Sequence, residues 1–403
     1  FHSSHFLPIS TAPSPAVPTD AFPAAPVPPP QPQRLSIRFT GSGGEYFRIW
    51  IVNLLLTLVT LGIWSAWAKV RKTRYFWSNT QLAGAAFQYH GSPGAILRGR
   101  LLAGAFFVAY SVAGRISVTA GMVAGAVLML LGPWFFYKSM RFKLSNTSWR
   151  GLRLGFDSTA GRAYAVLAPA MVLGVLLVGS LATMQRLVPG EKPNPVPVLL
   201  AELALFAFWP WLHARVKAYQ HGRARYGSLA FELEPSTGAF YGVYGKTLLV
   251  ALPFFVLFGI AMALVFGATG GAKDPAAVKR VLVPMMVVTY AVFLLSYAFA
   301  GAFFTARLQR LVWTRTHAGP VDFSTSVTAR GFMRVWIVNG LLTLLTLGIY
   351  WPWAAVAIAR YRLECMTVEL GAPLEAVAAT SLPTERSATG EGAVDFFGWD
   401  IGL

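Results

Sequence analysis

The chain has 403 residues, 55% of them hydrophobic and only 12% charged, with 34 Lys and Arg against 16 Asp and Glu. Soluble domains carry about 25% charged residues, so this balance excludes a large soluble enzyme and points to a membrane protein. The formal charge of +18 fits the basic loops of a multi-pass protein better than a nucleic-acid surface, and the single cysteine, Cys365, excludes an internal disulfide or a multi-cysteine metal site.

The chain opens on a proline-rich segment, residues 1–33, with ten prolines between Pro8 and Gln33 and almost no charge. Such a stretch buries too little apolar surface to offset its ordering entropy and is expected to be a disordered tail. No basic region precedes an apolar core there, so no cleavable signal peptide is expected. Residues 34–370 form the predicted membrane domain, and 371–403 a flexible C-terminal tail.

Eight apolar segments follow, each near the roughly 20 residues a span needs: Arg48–Ala68, Ala95–Ala113, Ile116–Tyr137, Ala163–Ala182, Val196–Leu212, Thr247–Gly267, Val281–Ala306 and Arg334–Ala357. Short and long connections alternate between them. The long ones hold about 22 Lys and Arg with their flanks, the short ones about six, which places the long connections in the cytoplasm.

Each long connection starts with aromatic and basic residues. Trp67, Lys69, Arg71, Lys138, Arg141, Arg215, Lys217, Arg307 and Arg360 are the candidate headgroup contacts, with aromatic rings at the interface and cations reaching past it. Alternating stretches then signal β-hairpins: Phe76–Tyr89 turning at Gly84, Phe142–Phe156 turning near Gly151, Tyr226–Leu233, and Leu311–Phe323 turning at Gly319. Arg34–Thr40 and Tyr361–Leu370 read as two halves of a fifth pair, which would close a sheet or barrel and remove an exposed edge.

The first and last apolar segments are nearly one sequence written twice. RIWIVNLLLTLVTLGIWSAWA (48–68) and RVWIVNGLLTLLTLGIYWPWA (334–354) agree at about 15 of 21 positions. If all eight segments crossed, the two copies would insert in opposite senses. Re-entrant elements bending at Gly62 and Gly348 avoid the conflict, provided that protein or water covers the bend. The expected fold is therefore a multi-pass α-helical membrane protein with internal repeats, either six spans plus two re-entrant elements or eight spans. It carries a cytoplasmic β-sheet or barrel built from the inter-helix hairpins, and both termini are cytoplasmic.

The two copies of W-I-V-N-x-L-L-T-L-x-T-L-G-I-[WY], the exit Trp67-Ala68-Lys69-Val70-Arg71, the hairpin start Ser78-Asn79-Thr80 and the ending around Val394–Leu403 resemble the YjgN family of bacterial inner-membrane proteins. The resemblance covers Arg34 to the C-terminus. It implies an inner-membrane location and no established activity, so no catalytic residue is carried over.

Enzyme motifs fail. Gly41–Gly44 lacks the third glycine of a dinucleotide loop, Gly267–Lys273 lacks the end of a phosphate loop, and no nucleophile elbow or zinc pair is present. No enzyme, cofactor or metal is expected. Glu202 in the fifth apolar segment is a candidate because a buried membrane acid is costly, with an interfacial position as the alternative. Asn53 and Asn339 recur in both copies and are candidates for a pathway, or for hydrogen bonds between helices. Ser117, Gly121 and Gly125 form a packing stripe. The expected function is transport or conduction of a neutral or amphipathic solute past Asn53, Asn339, Gly62 and Gly348. The alternative is a non-enzymatic scaffold or lipid-binding protein. Expected partners are membrane lipids, with a second copy or another protein reached through the tails, and no nucleic acid.

Overall fold

The computed structural model describes residues 33–185, 196–268 and 275–371. One motif recurs along it: a strand, two helices that rise and return, and a strand. β1 (Gln33–Phe39) leads through α1 (Gly43–Val59) and α2 (Ser65–Ser78) to β2 (Thr80–Leu82). β3 (Ala85–Tyr89) leads through α3 (Pro93–Ile116) and α4 (Val118–Ser145) to β4 (Thr147–Trp149). β5 (Leu152–Phe156) leads through α5 (Ala160–Gln185) and α6 (Val196–His221) to β6 (Ala224–Tyr226). β7 (Leu229–Ala230) and β8 (Glu232–Leu233), parted by Phe231 alone, precede α7 (Thr237–Ala268). The return is α8 (Pro275–Ser296), a π-helical turn at Tyr297–Gly301, α9 (Ala302–Trp313) and β9 (Thr316–Ala318). β10 (Val321–Thr325), α10 (Ala329–Leu345), α11 (Trp351–Glu364) and β11 (Met366–Leu370) complete the series.

All strand pairs are antiparallel, in the order β7-β6-β5-β4-β3-β2-β1-β11-β10-β9-β8. β7 and β8 stand at opposite ends of that order yet belong to one five-residue stretch, so the sheet closes into a barrel. Leu229 pairs with Tyr226 on one side and Glu232 with His317 on the other. Other strands divide in the same way. Residues Gln33–Ser36 of β1 pair with β11, while Ile37–Phe39 pair with β2. This is how strands strongly tilted in a small barrel share their neighbours.

The register sorts the barrel into two rims. Phe39↔Thr80, Tyr89↔Thr147, Phe156↔Ala224, Leu233↔Thr316 and Thr325↔Met366 lie where helices attach. Leu82↔Ala85, Trp149↔Leu152, Tyr226↔Leu229, Ala318↔Val321 and Gln33↔Leu370 lie at the other rim. Every helix pair therefore rises from one rim, and the tight turns lie at the other. Two of those turns have both central residues at positive φ, Ala83-Gly84 and Arg150-Gly151, as two-residue hairpins require for their twist. Gln33 and Leu370, the paired ends of β1 and β11, also lie at the turn rim.

Alternation fills the barrel. In β1, Ile37 and Phe39 are buried and Arg34, Ser36 and Arg38 exposed. With Leu82, Trp149, Tyr226, Ala318, Val321, Val368 and Leu370 they form one apolar core drawn from strands all round the ring. Trp149 is anchored by its indole N–H donating to Ala85 O at 3.1 Å. Above the barrel each helix packs on the next around a circle, and α11 packs on α1 to close it. Gly121 comes so close to Gly114 that a Cβ would lie 3.0 Å from its Cα, which explains the small-residue stripe.

Two expectations about strand boundaries need correction. Strand pairing of Arg34–Thr40 with the C-terminal segment is present, but Tyr361–Glu364 is the end of α11 and the strand begins at Met366. Likewise Phe76–Ser78, Phe142–Ser145 and Leu311–Trp313 finish helices rather than start strands. The first and last apolar segments are each two helices around a turn at Gly62 and Gly348, the bend expected of one alternative and not of the eight-span one. Among the described residues five helices are long and apolar enough to cross a membrane: Pro93–Ile116, Val118–Ser145, Ala160–Leu177, Thr237–Val265 and Leu282–Trp313. Residues 186–195 and 269–274, within the loops expected at Gln185–Pro195 and Ala268–Arg280, lie outside the described residues, as do residues 1–32 and 372–403.

Candidate functional site

Counting back from the first strand residue aligns the five returning helices. Thirteen residues before Thr80, Thr147, Ala224, Thr316 and Met366 stand Trp67, Trp134, Trp211, Phe303 and Trp353. Nine before stand Arg71, Lys138, Arg215, Arg307 and, in the fifth unit, Ala357. Ring and cation are thus one helical turn apart and meet. Arg215 lies 4.7 Å from the Trp211 ring, Arg307 5.4 Å from Phe303 and Lys138 5.7 Å from Trp134. Arg71 instead covers Trp64 at 5.5 Å, and Trp64 stacks on Trp67. The result is a belt of aromatic–cation pairs at one height, each worth about 0.5–1 kcal/mol. Arg141 donates to the Tyr137 hydroxyl and Arg360 to Gly41 O, which ties α11 to the first unit.

The two short helix pairs, α1/α2 and α10/α11, are built alike with every position offset by 286 residues. Each first helix ends in a Schellman motif: Gly62 N–H donates to Thr57 O and Leu61 N–H to Leu58 O, as Gly348 does to Thr343 O and Leu347 to Leu344 O. Leu61 and Leu347 both have φ 49°, followed by glycines at 92° and 93°. A left-handed leucine costs roughly 1–2 kcal/mol. Both leucines are almost wholly exposed, at 94% and 93%. Thr60 and Thr346 hydroxyls then cap the return by accepting from Trp64 N–H and Tyr350 N–H.

Asn53 and Asn339 are buried, and each is engaged within its own helix pair. Asn53 Oδ1 accepts from the Trp64 indole at 3.2 Å, while Asn339 Nδ2 donates to Val335 O at 2.7 Å. Neither of these hydrogen bonds joins the two asparagines to one another. Glu202 is exposed on α6. Lys217, expected at the headgroups, is only 8% exposed. It sits seven residues before its strand, on the face turned from the belt.

That face forms a second ring, which the sequence pattern alone hid. Four residues before the strands stand Phe76, Lys143, Gln220, Val312 and Arg362; seven before stand Thr73, Met140, Lys217, Gln309 and Ala359. Positions three apart share a helix face. Phe76 stacks at 5.8 Å on Phe39, a residue of the barrel core, which fixes this face as the inner one. Arg362 Nε–H donates to Gln309 Oε1 at 2.7 Å, and Gln309 Nε2 returns a bond to Arg362 O. Beside the ring, His221 meets the Trp313 ring edge-on at 5.2 Å. Burial, then Lys217 and Lys143, pushes its imidazole down to about 3. Ser139 Oγ, Gln220 Oε1 and His221 Nε2 are buried there with no hydrogen-bond partner among the described residues.

Known proteins bear on this geometry. The family described as "Bacterial protein of unknown function (DUF898)" matches residues 34–396. A Salmonella typhimurium protein named "Inner membrane protein YjgN" is 26% identical over 334 residues, 79% of this chain and 84% of that protein. Its namesake in Escherichia coli K12 is 26% identical over 238 residues, 56% of this chain and 58% of that protein. No solved structure matches the chain.

Proposed function

The chain belongs to the DUF898 family of bacterial proteins, and from that premise we propose that it is an inner-membrane lipid-binding protein whose helix ring is lowered on one side to receive acyl chains. The carrying observation is the pair of exposed, left-handed leucines at the tips of two neighbouring short hairpins. Gly62 lies five residues above Trp67, so this tip stands only about 8 Å above the belt. Arg100, early in α3, donates to Ser65 Oγ beside that tip, and α3 continues for about 24 Å more. In a hydrocarbon core about 30 Å thick, the tall pairs cross while the α1/α2 and α10/α11 pairs dip in and return, with the barrel and both tails in the cytoplasm.

A leucine that accepts backbone strain at a fully exposed tip makes sense where the surroundings are hydrocarbon. Burying such a side chain is worth about 1.5–3 kcal/mol, enough to offset the left-handed penalty. Above these tips the wall of the ring is missing, and lipid chains fill the gap while the belt cations hold headgroup phosphates. The transport reading is less well supported. The paired asparagines that would line its path are committed to their own hairpins, and side chains fill the barrel beneath.

The test is lipid retention. Native mass spectrometry of the full chain released from bacterial membranes should show retained phospholipid. The double variant Leu61→Glu, Leu347→Glu should lose it while keeping its fold by circular dichroism. Equal lipid in both proteins would sink the reading. Solute flux in reconstituted vesicles would replace it with transport.

A further inference from the structure

We propose that the outer wall of the barrel at the β1–β11 seam is a contact surface for a second copy of this chain, with a two-fold axis along the membrane normal that sets Arg34 of one copy against Asp322 of the other. The lipid-binding reading plays no part in this inference.

The wall is split by charge. Outward positions alternate with core positions along each strand. Strands β1 to β6 carry Arg34, Arg38, Arg153 and Arg225 and no acid. Strands β8 to β11 carry Glu232, Asp322 and Glu369, with His317 and no lysine or arginine. The two halves meet in two places. Near β6 the arginines are already engaged, since Arg225 Nη2 lies 2.7 Å from Asp157 Oδ2 and Arg153 donates to Ser145 O. At the seam, Arg34 pairs with Glu369 at 3.2 Å and keeps 73% of its side chain exposed. Arg38 and Asp322 are also exposed, and neither side chain has an ion pair or hydrogen bond among the described residues.

The register arranges the seam in two rows across β1, β11 and β10. One row is Arg34, Glu369 and Asp322, and the next is Ser36, Thr367 and Ser324. Carboxylates directly opposite one another destabilise a sheet, and Glu369 faces Asp322 with Arg34 on one flank alone. A cation beside Asp322 would balance the row. A second copy brings that cation. The ends of the charged row are two strand spacings apart, about 10 Å. A half-turn about an axis through β11 exchanges those ends, so the basic end of each copy falls opposite the acidic end of its partner. The second row holds only small hydroxyl side chains, which lets the two walls approach. Copies of one chain inserted in the same sense are related by axes along the membrane normal, and this confinement removes part of the rotational cost of docking. The charged row supplies register and specificity more than affinity.

Two measurements on the full chain in native membranes test this. In a Cys365→Ser background, Thr367→Cys lies beside the axis, meets its own counterpart and should give a covalent dimer on mild oxidation. Gln88→Cys, exposed on β3 away from the seam, should not. Loss of free thiol in the pair Gln81→Cys and Ala86→Cys, which face each other across β2 and β3, shows that oxidation was complete. Separately, differently tagged copies are co-expressed and captured through one tag. Arg34→Asp and Asp322→Arg should each weaken self-capture about tenfold, or about 1.4 kcal/mol, because like charges then face each other. Expressed together, the two variants should capture each other as the parent does, since each carries the charge that the other lacks. Should either reversal fail to fold, the cross-linking result decides alone. Equal linking at Thr367→Cys and Gln88→Cys, or none at either with oxidation complete, overturns the proposal. So does mutual capture no stronger than self-capture of the folded single variants, or a Thr367→Cys product with a different protein in place of the dimer.

Discussion

The two short helix pairs have nearly the same sequence and the same backbone, yet they are wired differently. In the first, the Asn53 amide oxygen reaches across the hairpin to the Trp64 indole. In the second, tyrosine replaces tryptophan at position 350, and Asn339 folds back onto its own helix at Val335 O. Their neighbours also differ. The first pair leans on α3 through Ser65 and Arg100, while the second leans on the first through Phe47–Trp353 ring stacking at 4.8 Å and Arg360–Gly41. Backbone shape is thus set by the shared residues, above all the Thr, Leu and Gly of the turn. Side-chain bonding follows the few positions where the copies diverge. The asparagine kept in both is a fastener whose partner has changed.

The comparison breaks most severely at the tips. If both dip into hydrocarbon, Leu61→Glu or Leu347→Glu should each cost about 2.5–3.5 kcal/mol of bilayer stability. The two losses should be equal, read as the fraction unfolded in lipid discs over a denaturant series. A glutamate tolerated at either tip would show that tip to be in water. Next come the glycines. Gly62→Ala and Gly348→Ala force a side chain to φ near 92°, and each should cost roughly 1–3 kcal/mol, with matching drops in melting temperature.

The asparagines should split the copies. Asn53→Leu leaves the Trp64 indole N–H unpaired and should cost about 1–3 kcal/mol. Asn339→Leu only returns Val335 O to its helical bond and should cost less than about 1 kcal/mol. A double-mutant cycle should show coupling for Asn53 with Trp64 and none for Asn339 with Tyr350. The smallest effect is pH. His221 is held neutral by a pKa lowered from 6.5 to about 3. Its contribution is present above pH 6.5 and is lost as pH falls from there toward 3. Between pH 7 and 6 the loss should be under about 1 kcal/mol, and His221→Leu should abolish it. Neither short pair contains a histidine, so hydrogen exchange within both should be indifferent to this titration.

Much of the architecture was legible because it is written at two periods. Alternation in RLSIRFT and MTVEL marks the seam strands, and the long repeat marks the twin hairpins. Boundaries were harder. Tyr361–Glu364 alternates as a strand would, but the pull of α11, which buries Leu363 on the barrel, wins over local pattern. The belt residues were individually visible as aromatic–basic exits. That they stand at one height in five units emerges only when the strand starts are fixed. The inner ring was illegible for a physical reason. Lysine, glutamine and arginine on a helix read as solvated, and only closure of the ring puts Lys217, Gln220 and Gln309 inside.

The seam between β1 and β11 also sets an order of events during synthesis. β1 leaves the ribosome first and finds β2 within one helix pair, but its other edge has no mate until β11 is made, more than 300 residues later. Until then the sheet is an open ribbon whose two unsatisfied edges lie at the first and last strands made, where stray pairing would start. A half-built barrel is open to joining another copy through those edges. A chain that stops short of Met366 would keep an unpaired edge on β1 even though every helix is already in place.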